Sequence, residues 1–274
     1  MELTMNSTVK LNNGVEMPIL GLGTWMLTGK SAYDSVKWAL ELGYRLVDTA
    51  TIYGNERNIG QAIKDSGVPR DEIFLTTKVW NDDQGYDNAL SAFNKSLKKL
   101  DVSYVDLYLI HWPVTGLRKE TWKALEKILE EGNARSIGIS NFTIRHLEEL
   151  LKNSSSIPSV NQVEFSPFLF QKDLLDYCNS KKIVVEAYCP LTRARKMDDP
   201  RIKTIGRKYG KSPAQILIRW GLQHGLVEIP RSGDKNHLQE NMNVFDFELS
   251  ENEIEKLDKL NEDFRVSDDP EKWK

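Results

Sequence analysis

Four side chains capable of acid–base chemistry stand at or near the ends of apolar segments that are typical of β-strands. They are a carboxylic acid, a phenol, an amine and an imidazole, namely Asp48, Tyr53, Lys78 and His111. A free phenol titrates near ~10, so Tyr53 needs help from its neighbours to exchange protons at neutral pH. A charged Lys78, oriented by Asp48, is expected to supply that help by lowering the pKa of the phenol. His111 adds a donor that could hold a carbonyl oxygen.

Three of these residues also have an ordinary structural interpretation. Taken alone, Tyr53 is a packing residue, Lys78 a solvated lysine at a strand end, and His111 a hydrogen-bonded structural histidine. Lys78 has a further chemical use, because a neutral lysine forms Schiff bases with carbonyl compounds. Only the occurrence of the four residues together favours chemistry over packing.

The four residues require a fold that brings strand ends together. Apolar strands alternate with helical segments eight times in 274 residues, without a linker or low-complexity tract. This alternation predicts a parallel sheet covered by helices, and eight units at this length favour an α/β fold, the closed (β/α)8 TIM barrel. We therefore expect a single domain over residues 1–274. Further strand-end residues would converge on the same face: Trp25, Asn141, Gln162, Tyr188 and Arg231.

Local signals predict several element boundaries. Asn13-Gly14 predicts a two-residue turn in an N-terminal β-hairpin, which would close the bottom of the barrel. Ser250 followed three residues later by Glu253 predicts a capping box at the start of a helix. Lys78 is expected to follow its strand directly, pointing into the mouth of the barrel.

The composition disfavours several classes of protein. The net charge of −3 gives no basic field for nucleic acid or an acidic membrane, and no apolar run is long enough to span a bilayer. Two cysteines, Cys178 and Cys189, are too few for a disulfide framework. The first ten residues lack the apolar core of a signal peptide. We therefore expect a cytoplasmic protein. We also expect a monomer that holds no metal and acts on a small molecule.

The sequence around these groups resembles the aldo-keto reductase superfamily. Seven motifs occur in the family's order and cover nearly the whole chain: Gly21-Leu22-Gly23-Thr24-Trp25, Asp48-Thr49-Ala50 with Tyr53-Gly54-Asn55-Glu56, Thr76-Thr77-Lys78-Val79-Trp80, Leu109-Ile110-His111-Trp112-Pro113, Gly138-Ile139-Ser140-Asn141-Phe142, Asn161-Gln162-Val163-Glu164 and Ile229-Pro230-Arg231-Ser232. The compact loop after His111-Trp112-Pro113 resembles the microbial branch of prostaglandin-F-synthase-like and 2,5-diketo-D-gluconate-reductase-like enzymes.

The resemblance implies a reductase of aldehydes and ketones that uses NADPH, with NADH as a weaker or second cofactor. It implies Tyr53 as the general acid, Lys78 and Asp48 as its support, and His111 as the group that orients the carbonyl. The cofactor contacts that it implies are Gly23, Thr24, Asp48, Ser140, Asn141, Gln162, Tyr188, Pro190, Leu191, Arg231, Ser232, His237, Glu240 and Asn241. The substrate contacts that it implies are Trp25, Trp80, His111 and Trp112.

Several residues depart from the family's pattern. His237 stands where a second arginine is common, and Asp234 stands where a small hydroxyl residue is usual. Both should weaken the preference for NADPH over NADH. Arg193 and Arg195 belong to a basic cluster that either clamps the pyrophosphate or forms a solvated loop. Trp273 either folds over the mouth of the site or belongs to a disordered tail.

Two other functions stay open at the level of the sequence. A Schiff-base aldolase could use Lys78 on the same barrel. A cofactor-binding regulatory or structural protein could keep the fold with little turnover.

Overall fold

The sheet of this protein closes into a barrel. The computed structural model describes residues 3–272, so Trp273 lies outside the described residues. Eight parallel strands follow one another around the sheet in chain order. The first and last are joined by backbone hydrogen bonds, since Gly21 N–H donates to the Glu228 carbonyl at 2.8 Å and Glu228 N–H donates to the Ile19 carbonyl at 2.9 Å. The predicted eight-stranded α/β barrel is confirmed.

The elements have these bounds. The strands are β1 Thr8–Lys10, β2 Glu16–Pro18, β3 Leu22–Gly23, β4 Leu46–Asp48, β5 Phe74–Val79, β6 Val105–Ile110, β7 Ala134–Ser140, β8 Val160–Glu164, β9 Val184–Tyr188 and β10 Val227–Glu228. The helices are α1 Gly29–Leu42, α2 Glu56–Ser66, α3 Tyr86–Leu100, α4 Arg118–Glu130, α5 Ile144–Leu151, α6 Lys172–Ser180, α7 Pro200–Tyr209, α8 Pro213–Gln223, α9 Lys235–Met242 and α10 Glu251–Asp258. Strands β3 to β10 form the barrel, and each is followed by at least one helix.

Two apolar clusters hold the barrel together. The inner cluster consists of inward-facing strand residues such as Leu46, Leu107 and Val227. The outer cluster fills the space between the strands and the amphipathic helices and includes Trp122 and Trp220. No helix within residues 3–272 is both long and apolar enough to cross a membrane.

The hairpin of β1 and β2 covers the amino-terminal end of the barrel. Leu11 and Met17 are buried and join the inner cluster. The loop between the strands is longer than the two-residue turn that the sequence predicts, because the Leu11 N–H donates to the Val15 carbonyl at 2.8 Å and leaves three residues between them. One of these, Asn12, donates from its side-chain amide to the Pro158 carbonyl at 3.0 Å. The longer loop therefore fastens the hairpin to the barrel.

Two other boundary predictions had different outcomes. The capping box is confirmed, since Ser250 precedes α10 and bonds reciprocally with Glu253. The prediction that Lys78 follows its strand was wrong, because the ladder between β5 and β6 continues through the Lys78–Leu109 pair to Val79. Lys78 is therefore held within a central strand, which limits the freedom of its side chain.

Candidate active site

The carboxyl ends of the strands open into two adjoining cavities. The inner cavity, of about 380 Å³, lies directly above the barrel strands. The outer cavity, of about 530 Å³, extends to the start of α9. The two cavities share the lining residues Trp25, Cys189, Arg193 and Arg231. Together they form one elongated groove across the mouth of the barrel.

A buried ion pair forms the floor of the inner cavity. The Lys78 Nζ donates to both carboxylate oxygens of Asp48 at 2.7 Å and to the Thr49 carbonyl at 2.9 Å. These three acceptors match the three N–H donors of an ammonium group. Lys78 is completely buried. All three N–H groups of Lys78 are thus engaged, whereas a Schiff base requires a free amine that reaches the carbonyl carbon.

The phenol and the imidazole lie beside this ion pair. The Lys78 Nζ is 5.2 Å from the centroid of the Tyr53 ring. The rings of Tyr53 and His111 meet edge to face with centroids 5.6 Å apart, and those of Trp80 and His111 also meet edge to face, at 5.2 Å. The structure thus brings together the four groups that lie far apart in the sequence.

Burial sets the protonation of these groups. It raises the pKa of Asp48, and the charge and hydrogen bonds of Lys78 offset part of that rise. Burial, followed by the nearby Asp48 carboxylate, raises the pKa of Tyr53 well above its ordinary value. The sequence led us to expect a lowered pKa for this phenol, and the structure corrects that expectation. Burial and the charge of Lys78 lower the pKa of His111 well below its ordinary value, so its imidazole is neutral at pH 7.

The polar side chains above the floor are bonded to one another. The Asn141 side chain donates to the His111 carbonyl at 2.9 Å and to the Ser140 hydroxyl at 3.1 Å. The Tyr188 hydroxyl donates to the Asn141 side-chain oxygen at 2.7 Å. Gln162 donates through its amide nitrogen to the Asp48 carboxylate at 2.8 Å. This network fixes the rotamers that face the cavity.

The outer cavity ends in exposed polar groups at the start of α9. Arg231 is exposed and donates from its Nε to the Trp25 carbonyl at 3.2 Å. The Asp234 carboxylate caps the helix by accepting from the backbone N–H groups of Asn236 at 2.8 Å and His237 at 3.1 Å. These two hydrogen bonds lower the pKa of Asp234. An anion bound at this helix end would lie close to the negatively charged Asp234, which already accepts from these N–H groups.

The predicted site residues divide between the two cavities. The inner cavity is lined by Gly23, Thr24, Trp25, Asp48, Tyr53, Trp80, His111, Trp112, Ser140, Asn141, Gln162, Tyr188 and Arg231. The outer cavity is lined by Trp25, Pro190, Leu191, Arg231, Ser232, His237, Glu240 and Asn241. Lys78 lies beneath Asp48 and lines neither cavity.

Arg193 occupies a bridging position that the sequence left undecided. Its guanidinium carbon lies 4.2 Å from the centroid of the Trp25 ring, at the junction of the two cavities. Thr192, Arg193 and Ala194 all have left-handed backbone conformations, with φ values of 50°, 49° and 61°. Such a run is uncommon for residues other than glycine. Arg195, in contrast, lines neither cavity.

A wall of the inner cavity comes from the end of the chain, which sequence reasoning missed. Val266 and Ser267 line the cavity, and their backbone N–H groups donate to the buried Glu164 carboxylate at 2.6 and 2.9 Å. Glu271 then anchors the following turn through an ion pair with Arg145 at 2.7 Å. A buried acid at the end of β8 was the available signal for this contact.

Comparison with known proteins identifies the family. Residues 19–262 match the aldo/keto reductase family. The chain belongs to the aldo-keto reductase family. Over 272 residues it is 51% identical to the glyoxal reductase of Bacillus subtilis (strain 168), covering 99% of each chain. It is 48% identical over 269 residues to the 9,11-endoperoxide prostaglandin H2 reductase of Trypanosoma cruzi (strain CL Brener), covering 97% of this chain and 95% of that protein.

Solved structures of aldo-keto reductases share this barrel. The Bombyx mori aldo-keto reductase in complex with NADP superposes with a TM-score of 0.92 and 36% identity, covering 97% of this chain and 96% of that one. The resemblance found in the sequence motifs is thus confirmed, and the protein is an oxidoreductase. Neither the aldolase nor the low-turnover alternative is supported.

Proposed function

We propose that this aldo-keto reductase uses NADPH to reduce aldehydes and ketones to alcohols, with Tyr53 as the general acid. The observation that carries the proposal is the buried Lys78–Asp48 ion pair directly beneath Tyr53 and His111, at the floor of an elongated groove. These groups can deliver one proton to a carbonyl oxygen bound in the inner cavity.

The donors and acceptors of the groove fit a phosphorylated dinucleotide. The outer cavity offers the exposed guanidinium of Arg231 and the hydroxyl of Ser232, which suit a phosphate group. The inner cavity offers a buried amide, that of Gln162, beside the Tyr188 ring, which suits a flat ring bearing a carboxamide. The remaining proposed contacts line the groove between these two ends.

The residues of the chain then have separate tasks. When bound, the cofactor supplies the hydride for the carbonyl carbon. Tyr53 holds its proton at rest because its pKa is raised, and it releases that proton as negative charge develops on the carbonyl oxygen. Lys78 stabilises the phenolate that Tyr53 then becomes, and Asp48 holds Lys78 in position. His111, neutral and in edge-to-face contact with two rings, orients the carbonyl.

We propose small aldehydes, including dicarbonyl compounds of the glyoxal type, as the first substrates to test. The walls formed by Trp25, Trp80 and Trp112 bind by shape and apolar area, which gives modest discrimination among substrates. The 51% identity to a glyoxal reductase supports the choice of dicarbonyl compounds.

The experiment is an initial-rate comparison. The initial rates of NADPH and NADH oxidation are measured separately with a panel of aldehydes and ketones that includes glyoxal and methylglyoxal. We expect substrate-dependent loss of NADPH absorbance and slower turnover with NADH. Borohydride treatment with each substrate serves as the control for an aldolase, and covalent trapping on Lys78 without NADPH oxidation would overturn the proposal.

We further propose that residues 1–274 act as a single cytoplasmic domain in monomeric form, without nucleic-acid partners. The unpaired Cys178 and Cys189 suit a reducing compartment, and the net charge of −3 gives no basic field for nucleic acid. Light scattering of the purified protein at assay concentration tests the oligomeric state, and a stable dimer would contradict this part of the proposal.

A further inference from the structure

Gln162 lies between two buried carboxyl groups. Its Nε2 donates to Asp48 Oδ2 at 2.8 Å and to Glu186 Oε2 at 2.7 Å. All three side chains are almost completely buried, and Glu186 has no accessible surface. Glu186 lies on β9 directly opposite Gln162 on β8, with both side chains facing the interior of the barrel. The reaction described above makes no use of Glu186.

The two carboxyl groups determine which way the amide of Gln162 points. An amide has two donors on its nitrogen and only acceptor sites on its oxygen. The nitrogen must therefore face Asp48, whose carboxylate would repel the amide oxygen, and its second N–H is then directed at Glu186. Within residues 3–272 no group donates to the Gln162 Oε1. This oxygen is the hydrogen-bonding atom that the side chain keeps for a ligand in the inner cavity.

We propose that Glu186 is a positioning residue that, with Asp48, fixes the amide of Gln162 so that its oxygen accepts the carboxamide N–H of the cofactor. This inference rests on the proposed function. Glu186 itself touches neither the cofactor nor the reacting atoms. Its second oxygen is buried without a partner, so the amide of Gln162 is the only hydrogen-bond partner of the Glu186 side chain within residues 3–272.

The protonation of Glu186 is compatible with this role. Burial, followed by the nearby Asp48 carboxylate, raises the pKa of Glu186 to about 8. At neutral pH the group is therefore largely uncharged. A neutral carboxyl still offers its carbonyl oxygen to the Gln162 amide, while the oxygen without a partner carries the proton.

A second buried glutamate provides a matched control. Glu228 lies on β10, beside β9, and is as well buried as Glu186. Its side chain points to the outer face of the barrel, against Gly221 of α8, and one of its oxygens also lacks a partner. Replacing Glu228 thus removes a buried carboxyl without touching Gln162.

The experiment measures dissociation constants of the full-length protein for NADPH and for its reduced 3-acetylpyridine analogue. The analogue keeps the carbonyl group attached to the pyridine ring but has a methyl group in place of the amide nitrogen. It therefore cannot donate a hydrogen bond to Gln162. For Glu186→Met we expect the Kd of NADPH to rise about three- to tenfold, the size of one hydrogen bond, and that of the analogue to change less than twofold. Glu186→Gln keeps an acceptor, so its ratio of the two dissociation constants should equal that of the unmodified protein. Glu228→Met should also keep that ratio.

The result that would overturn the inference is an unchanged ratio of the two dissociation constants in Glu186→Met. Should that variant not fold, the unmodified protein gives a second measurement. The Gln162 side-chain N–H signals, assigned by their loss in Gln162→Met, should be protected from solvent exchange in the complex with NADPH. Rapid exchange of both protons would also overturn the inference. Absence of NADPH-dependent turnover in the unmodified protein would instead contradict the proposed function.

Discussion

The inner and outer cavities are built in different ways. The inner cavity rests on side chains that are buried and bonded several times, as Lys78 is to three acceptors and Asn141 to three partners. The outer cavity ends in exposed groups at the start of α9, including Arg231 and His237. The difference indicates that the barrel fixes the position of the chemistry, whereas single surface substitutions can adjust recognition of the far end of the cofactor.

The largest expected effect comes from removing the proton donor of the inner cavity. Tyr53→Phe should lower kcat by about 10²–10⁴-fold, because a positioned proton-transfer group contributes that much. The Kd for NADPH should change little, since the phenol has no role in cofactor binding. Steady-state rates and fluorescence titration measure the two quantities. Near-normal turnover would remove Tyr53 from the role of general acid.

The outer cavity should show the opposite pattern. Arg231→Ala should raise the Kd for NADPH by about 10–100-fold, the value of a charged hydrogen bond to phosphate, and leave kcat at saturating cofactor within a few-fold. Binding of NADH, which lacks that phosphate, should be affected much less. Arg231→Lys serves as the control that keeps the charge. Equal losses with both cofactors would show that Arg231 acts by holding the Trp25 loop rather than the phosphate.

The buried carboxyl group of Glu186, beside the inner cavity, should also make the free energy of unfolding depend on pH. The pKa of Glu186 is raised to about 8 in the folded protein, so the folded chain keeps a proton that the unfolded chain releases above about 4.5. Stability should therefore fall as pH rises through this window, by at most ~1.4 kcal/mol per pH unit from this group. Urea unfolding at several pH values should show a shallower slope for Glu186→Gln. Glu228, whose pKa is also raised, leaves a residual slope in that variant.

The smallest expected effect concerns cofactor preference. Asp234→Ser keeps a cap on α9 but removes a negative charge near the proposed phosphate contacts. We expect the NADPH-to-NADH ratio of kcat/KM to rise about threefold, within the range of helix-end charge effects. Asp234→Asn, which keeps the size and removes the charge, should behave in the same way. A ratio that rises only in one of the two variants would point to packing rather than charge.

The sequence predicted the catalytic face because parallel strands place their carboxyl ends together. Asp48, His111 and Tyr188 could be assigned to one face on this principle alone, and the motifs then identified the family. The pKa of Tyr53 could not be inferred, since it depends on burial and on the distance to Asp48. The position of Glu186 could not be inferred, because an acid inside an apolar strand can face either the barrel interior or the helices. The sequence does not distinguish these two orientations.

The wall formed by Val266 and Ser267 was beyond prediction for a different reason. The segment has neither helical nor strand periodicity, and its position depends on Glu164, which lies about one hundred residues earlier. Contacts of this kind between an irregular segment and a distant strand leave no local pattern. The longer loop of the hairpin was missed similarly, because Asn12 bonds to a distant part of the barrel.

The amino-terminal hairpin and the segment around Ser267 lie at opposite ends of the barrel, which affects where a label can be attached. The amino-terminal hairpin covers the amino-terminal end of the barrel, away from the groove. The carboxyl-terminal segment borders the groove itself and is fastened there by Glu164 and Arg145. An affinity label or fluorescent protein joined on the amino-terminal side should leave substrate choice intact. One joined on the carboxyl-terminal side should change which aldehydes are accepted.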